Sequence, residues 1–360
     1  MSVPALEVSF LQDGAQPAEQ MAGELAAFIE AAQVSLDIAI YDLNLTGPPA
    51  DRLRDAIKAA AGRNVRVRLA YNVDFPHPIP VPPPPQPDTA FINSLGVSTQ
   101  AIPGVPGLMH HKYVIRDAET DGATVWTGSM NWTNDSWTRE ENVVLRLPSR
   151  ALAAQYLRNF TELWNRGRVD NSGKYDLPAV QLGGKSDGIK TQVLFAPGRG
   201  PRMAHLIAER LAHASTRIRL CSPVITAGPI LGTLAELAGR PHVDFKGVYD
   251  RTQMQQVLGQ WKIDPHAGWK APAFTTVSTG LPFASKVTTP YAIGSVHDFM
   301  HAKLTVADDT VFVGSYNLSH SGEMNAENVL EIESAPLADL CAAYIEKIMA
   351  RYRAAGTEAR

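Results

Sequence analysis

Cysteine is nearly absent from the 360 residues: Cys221 and Cys341 stand alone, with no CxxC pair. Neither a disulfide framework nor a cysteine-based zinc site is therefore expected. No apolar run approaches the roughly 18 residues of a membrane-spanning helix, and the opening MSVPALEVSFLQDG has no charged head, apolar stretch and cleavage site of a secretion signal. An excess of positive charge is also lacking. Lys plus Arg number 33 against 36 Asp plus Glu, for a formal net charge of −3, so no global basic field marks a nucleic-acid binder, although a local basic cleft remains compatible with this balance. These absences lead to the expectation of a soluble, cytoplasmic protein without a transmembrane segment. What is present is a globular mixture, 45% hydrophobic and 19% charged, in a chain long enough for two cores.

The two halves repeat one another. GELAAFIEAAQVSLDIAIYDLN reads as a helix then a strand, and MAHLIAERLAHASTRIRLCSPVI takes the same place downstream. VRVRLAYN and VDFKGVYD follow as short strands, TVWTGSMN matches TVFVGSYN, and Glu141-Asn142 matches Glu327-Asn328. Each half closes on a helical pattern, ALAAQYLRNFTELW and DLCAAYIEKIMARY. The Gly-rich polar stretch 166–190 reads as a connector, which predicts domains over 1–165 and 191–360. Alternating helices and strands predict an α/β class, each domain a mixed sheet flanked by helices. Two stretches break the symmetry: the stiff proline-rich 76–87 segment, read as a spacer or lid edge, and an excursion over 251–297 carrying Trp261, Trp269, Lys270 and Lys286.

Chemistry concentrates where the repeat is strictest. MHHKYVIRD (109–117) and MHAKLTVAD (300–308) both contain His, Lys two later and Asp five after that: His110, Lys112, Asp117 and His301, Lys303, Asp308. Strand residues two apart share a face, so each His and Lys can address one ligand. The same register turns His111 to the opposite face, for packing or solvent. Ser129 with Asn131, and Ser315 with Asn317, offer a hydroxyl and an amide for anionic oxygens. Glu141 and Glu327 can each accept a proton from the imidazole nitrogen not used in chemistry, fixing its tautomer.

With two copies of HxK(x)4D, each followed by GSxN and a glutamate, the sequence resembles the phospholipase D superfamily over most of both halves. The resemblance implies two domains related by a pseudo-twofold axis that share one active site, a covalent phosphohistidine intermediate and no metal or other cofactor. It is consistent with elementary chemistry: Lys112 and Lys303 neutralise a phosphodiester's charge, one neutral imidazole is a competent nucleophile, and the other, charged, protonates the leaving group. His110 is taken as nucleophile and His301 as acid. A metal-dependent phosphodiesterase is disfavoured by lysine beside each histidine, and a non-catalytic binding module by two complete motifs. The expected substrate is a phosphodiester, with hydrolysis of a phospholipid headgroup preferred to cleavage of DNA or RNA or to phosphatidyl transfer. The apolar and aromatic stretch GLPFASKVTTPYAIGSV suggests transient contact with a membrane surface, and two motifs in one chain suggest a monomer.

Overall fold

The computed structural model describes residues 2–3, 5–73, 85–104, 107–183, 188–240, 243–292 and 294–358. The proline-rich segment up to Pro84 lies outside the described residues. The first half runs β1 (Ser2–Val3), β2 (Leu6–Leu11), α1 (Ala18–Glu30), β3 (Ser35–Ile40), β4 (Leu43–Asn44), α2 (Gly47–Gly62) and β5 (Arg66–Val73). It continues through α3 (Thr89–Ser94), β6 (Ser98–Pro103), β7 (Lys112–Arg116), β8 (Thr124–Gly128), β9 (Trp132–Thr133), α4 (Asn134–Thr138), β10 (Asn142–Pro148) and α5 (Arg150–Arg166). The second half runs β11 (Val180–Leu182), β12 (Ile189–Ala196), α6 (Gly200–His213), β13 (Arg217–Ser222), α7 (Gly228–Gly239), β14 (Asp244–Asp250) and α8 (Arg251–Trp261). It ends with α9 (Lys270–Gly280), β15 (Phe283–Lys286), β16 (Leu304–Ala307), β17 (Thr310–Gly314), β18 (Glu327–Glu333) and α10 (Ala335–Glu358).

Two eight-stranded mixed sheets result, in the orders β1-β2-β10-β8-β7-β3-β5-β6 and β11-β12-β18-β17-β16-β13-β14-β15. They correspond position by position. In each, the central strand (β3 or β13) is antiparallel to the motif strand (β7 or β16) and parallel to the next (β5 or β14). The fully buried runs SLDIAI and IRLCS at these central positions reflect coverage of both sheet faces.

Three apolar cores fill the layers. One lies between the first sheet and its outer helices α1 to α3, and another between the second sheet and α6 to α9. The third lies between the sheets and takes in Tyr156, Phe160 and Leu163 of α5 as well as Cys341, Tyr344 and Ile345 of α10, a core drawn from both halves. Helix α5 starts on Ser149, whose Oγ accepts from Leu152 N–H, and stops at Gly167, whose left-handed backbone (φ 61°) ends it.

Two symmetry expectations change. The 166–190 stretch is more than a connector, because it contributes β11 as an edge strand paired with β12, which already begins at Ile189. The 251–297 excursion contains β15, which stands in the second sheet where β6 stands in the first; only α8, α9 and the loop after β15 lie outside the strand repeat. Among the described residues no helix is long and apolar enough to cross a membrane.

Candidate functional site

The motif strands are anchored at one end by the aspartates. Asp117 and Asp308 take left-handed backbone angles, φ 53° and 52°, and each carboxylate collects the N–H groups that precede the neighbouring central strand. Asp117 accepts from Val34 at 2.7 Å, Ser35 at 2.9 Å and Gln33 at 3.0 Å. Asp308 accepts from Thr216 at 2.8 Å, Ser215 at 2.9 Å and Arg217 at 3.0 Å. Burial alone would raise the Asp308 pKa, but the Thr216 hydroxyl and these N–H donors hold it well below the usual carboxylate range. Both aspartates fix the strand ends and stand apart from the histidines.

At the other end, the Gly of each GSxN turn lets two strands approach. A Cβ on Gly128 would collide with the Val143 carbonyl oxygen, and one on Gly314 with that of Asn328. The serines then bind the same neighbours: Val143 N–H donates to Ser129 Oγ and Asn328 N–H to Ser315 Oγ, both at 3.0 Å. These contacts define a register in which Val144 faces Gly128 and Val329 faces Gly314. Asn142, rather than Glu141, therefore holds the place of Glu327.

The histidines reach across the two halves. His110 Nδ1 lies 2.8 Å from Glu327 Oε1. His301 Nδ1 lies 3.0 Å from Asn142 Oδ1 and 3.2 Å from Glu140 Oε2. Carboxylate and amide have thus changed places: the first half presents Glu140-x-Asn142 and the second Asn325-x-Glu327. In both, the amide donates to the carboxylate, Asn142 to Glu140 at 3.1 Å and Asn325 to Glu327 at 3.3 Å. Ser129 Oγ donates to Asn142 Oδ1 at 2.7 Å, and Ser315 hydrogen-bonds Glu327.

Glu141, expected to orient a motif imidazole, is elsewhere. The loop from Gly128 to the facing residue on β10 is one residue longer than its counterpart, and one residue reverses side-chain parity in a strand. Glu141 points to the opposite face, where it pairs with Lys286 Nζ at 2.9 Å and receives the Tyr352 hydroxyl. Lys286 also reaches Asp13 at 3.2 Å. This buried network ties β15, β10 and α10 together.

Lys112 Nζ donates to its own motif's His110 carbonyl at 2.7 Å and sits 4.7 Å from the Tyr41 ring centroid; Lys303 Nζ donates likewise to His301 O. Burial dominates every ionisation here. It lowers Lys112 to about 7 and Lys303 well below its usual value, the second lysine pushed further by the first. It raises Glu140 to about 7 and Glu327 to about 8, against the pull of the lysines. Both imidazoles are pushed down by burial and then by the two lysines. Negative charge placed beside these imidazoles and lysines would act against the effect of burial and favour their protonated states.

A cavity of about 480 Å³ opens on this constellation, lined by His301, Glu140, Asn131 and Asn317 together with Tyr41, Asp42 and Phe299. Asn131 and Asn317 each leave a buried side-chain oxygen without a partner. His111 is buried on the other face, with Nδ1 3.2 Å from Asn328 Nδ2 and the ring against Tyr113. Among the described residues no group of three or more His, Cys, Asp or Glu is arranged to hold a metal ion. Of the residues that shape the site, Glu140, Asn142 and Asn325 escaped the sequence reading; the mirrored spacing E-x-N and N-x-E was the available signal.

The family described as "Cardiolipin synthase, PLD-like domain" matches residues 25–164 and 207–349. A mitochondrial cardiolipin hydrolase of Xenopus tropicalis is 28% identical over 134 residues, 37% of this chain and 56% of that protein. The chain thus spans about half the length of the curated relative it matches. Among solved structures, the phosphatidylserine synthase of Haemophilus influenzae Rd KW20 superposes with a TM-score of 0.63 at 13% identity, covering 96% of this chain and 86% of that one. A polyphosphate kinase from Porphyromonas gingivalis gives 0.59 at 9% identity, covering 95% and 46%. Both are similar in fold.

Proposed function

The chain belongs to the phospholipase D superfamily, and from that premise we propose that it hydrolyses a phosphodiester of the phospholipid-headgroup class through a phosphohistidine, as a monomer and without a metal. The observation that carries this reading is the crossed pairing of His110 with Glu327 and of His301 with Glu140 and Asn142, which brings both motifs of one chain to one centre. When Glu327 is ionised it holds the Nδ1 proton of His110, whose bare Nε2 then faces phosphorus. The Nε2–P bond forms as the P–O bond to the leaving alcohol breaks, and His301 gives its proton to the departing oxygen. Neutral His301 then takes a proton from water, which attacks phosphorus and releases His110. Lys112 and Lys303 neutralise the phosphoryl oxygens, and Asn131 and Asn317 supply amide donors to them. The similarity to a cardiolipin hydrolase supports the lipid class, and lysines where a metal would otherwise stand support metal-free chemistry.

Hydrolysis of bis(p-nitrophenyl) phosphate in excess EDTA is the direct test, with acid-labile, base-stable phosphate trapped on a histidine at one per chain. Absence of turnover, or turnover that requires a divalent ion, overturns the reading. Two trapped phosphoryl groups per chain would show that the motifs work separately.

A further inference from the structure

The approach to the centre is unusually poor in positive charge. The 480 Å³ cavity and a second of about 530 Å³ share Asp42, Pro85, Tyr291 and His297. Among the described residues no lysine or arginine lines either one. The sequence between Arg68 and Lys112 contains neither residue type. Carboxylates are there instead: Asp42 and Glu140 line the first cavity, Asp42 and Asp135 the second. Asp42 is only 3% exposed and is held by the Asn44 side-chain N–H at 2.6 Å. Aromatic rings complete the wall, His297 packing between Tyr291 at 5.2 Å and Phe299 at 5.1 Å between ring centroids. The unpartnered Oδ1 of Asn131, a side chain 7% exposed, is an acceptor in the same lining. His301 and Glu140 line the first cavity whereas His110 does not, so this space lies on the side where the leaving alcohol would receive its proton.

We propose that this cavity is a subsite for an alcohol bearing an ammonium group, held by Asp42 and the Tyr41–Tyr291–Phe299 wall with Asn131 as a further acceptor. The inference rests on the phosphodiester reading above and narrows its substrate. A buried carboxylate beside aromatic faces stabilises an organic cation, whereas a second phosphate placed there meets two or three acids and a lining without lysine or arginine. A polynucleotide or a two-phosphate lipid is disfavoured by the same lining. Asp42 also interacts with Lys112 and His297, and a role confined to supporting Lys112 is the competing explanation that the test separates.

Short-chain phosphatidylethanolamine, phosphatidylglycerol and cardiolipin are compared as substrates of the full chain. The deacylated glycerophosphoethanolamine and glycerophosphoglycerol distinguish a lipid from a soluble source. Cleavage of bis(p-nitrophenyl) phosphate reports separately on whether any phosphodiester is hydrolysed. We expect kcat/KM for the ammonium member of a pair to exceed that of the glycerol member by about tenfold. Asp42→Asn should bring that ratio close to one, and Tyr291→Leu, at the half-buried wall, should reduce it severalfold if Asp42→Asn fails to fold. Equal rates for the pair, or a preference for cardiolipin, overturn the subsite while leaving the general reaction in place. So does an Asp42→Asn variant slowed equally on all substrates, which assigns Asp42 to Lys112. Loss of all phosphodiester cleavage in the wild-type chain would overturn both readings.

Discussion

The first half presents Glu140-x-Asn142 to the second half's histidine, and the second half presents Asn325-x-Glu327 to the first's. Strand order, the HxK(x)4D spacing and aspartate anchoring are otherwise matched. The exchange makes chemically unequal two histidines that the repeat makes equal. His110 meets a carboxylate directly, while His301 meets an amide oxygen backed by a carboxylate. A double displacement needs one imidazole bare at Nε2 and the other protonated there. A strictly symmetric site would have to choose between them anew at each turnover, whereas in the proposed reaction the unequal partners bias the choice before substrate arrives.

Removing either imidazole should have the largest effect. His110→Ala and His301→Ala are each expected to lower kcat by at least about 10³-fold, and mixing the two purified variants should restore nothing. Substantial rescue would show that sites form between chains. The next step separates the halves. Glu327→Gln should cost about 100-fold in kcat, because it removes the group that fixes the His110 tautomer. Glu140→Gln should cost about tenfold, since Asn142 still holds His301. Equal losses would erase the proposed inequality.

Stability against pH sharpens the comparison further. Burial raises both carboxyl pKa values above the unfolded reference of 4.5, Glu140 to about 7 and Glu327 to about 8. The folded state therefore retains these protons longer than the unfolded chain, and each group's contribution is lost as pH rises from about 4.5 through its folded value. The Tm of Glu140→Gln relative to wild type should climb over that range and level off above pH 7, and that of Glu327→Gln should level off about one unit later. Melting curves from pH 4 to 9 check both, and a flat difference in either variant refutes the assignment. The smallest catalytic effect belongs to His111, which stands where the second motif has Ala302. His111→Ala should leave kcat within about threefold but cost about 1–3 kcal/mol of stability by opening space against Tyr113 and Phe195.

The sequence carried the paired sheets, the motif faces and the direction of His111 because each depends on local alternation repeated twice. The aspartates were placed with the motif, but their hold on three backbone N–H groups depends on a loop more than 80 residues earlier in each half. Glu141 was misplaced for a simple reason: matching residues by identity set Glu141-Asn142 against Glu327-Asn328, whereas a loop longer by one residue shifts the strand and turns Glu141 away. Strand parity is invisible in an identity match that tolerates a shifted turn. Strands β6, β11 and β15 were hidden because two fall in stretches without clear repeat partners and the third in a segment whose glycines and polar residues spoke for a connector.

The crossing of side chains between halves also imposes an order on biosynthesis. His110 leaves the ribosome 217 residues before the carboxylate that orients it. Glu141, just before β10, and the first sheet's Leu11 await Tyr352 and Tyr344 of α10, which follows both sheets in the chain. A nascent first half therefore holds one motif imidazole (His110), one motif lysine (Lys112) and an uncovered apolar sheet face, without the second motif's histidine. On the proposed reading, the ability to break phosphodiesters arrives only when synthesis has passed Glu327 and α10 has docked. A chain interrupted midway would release an aggregation-prone fragment with no partial activity.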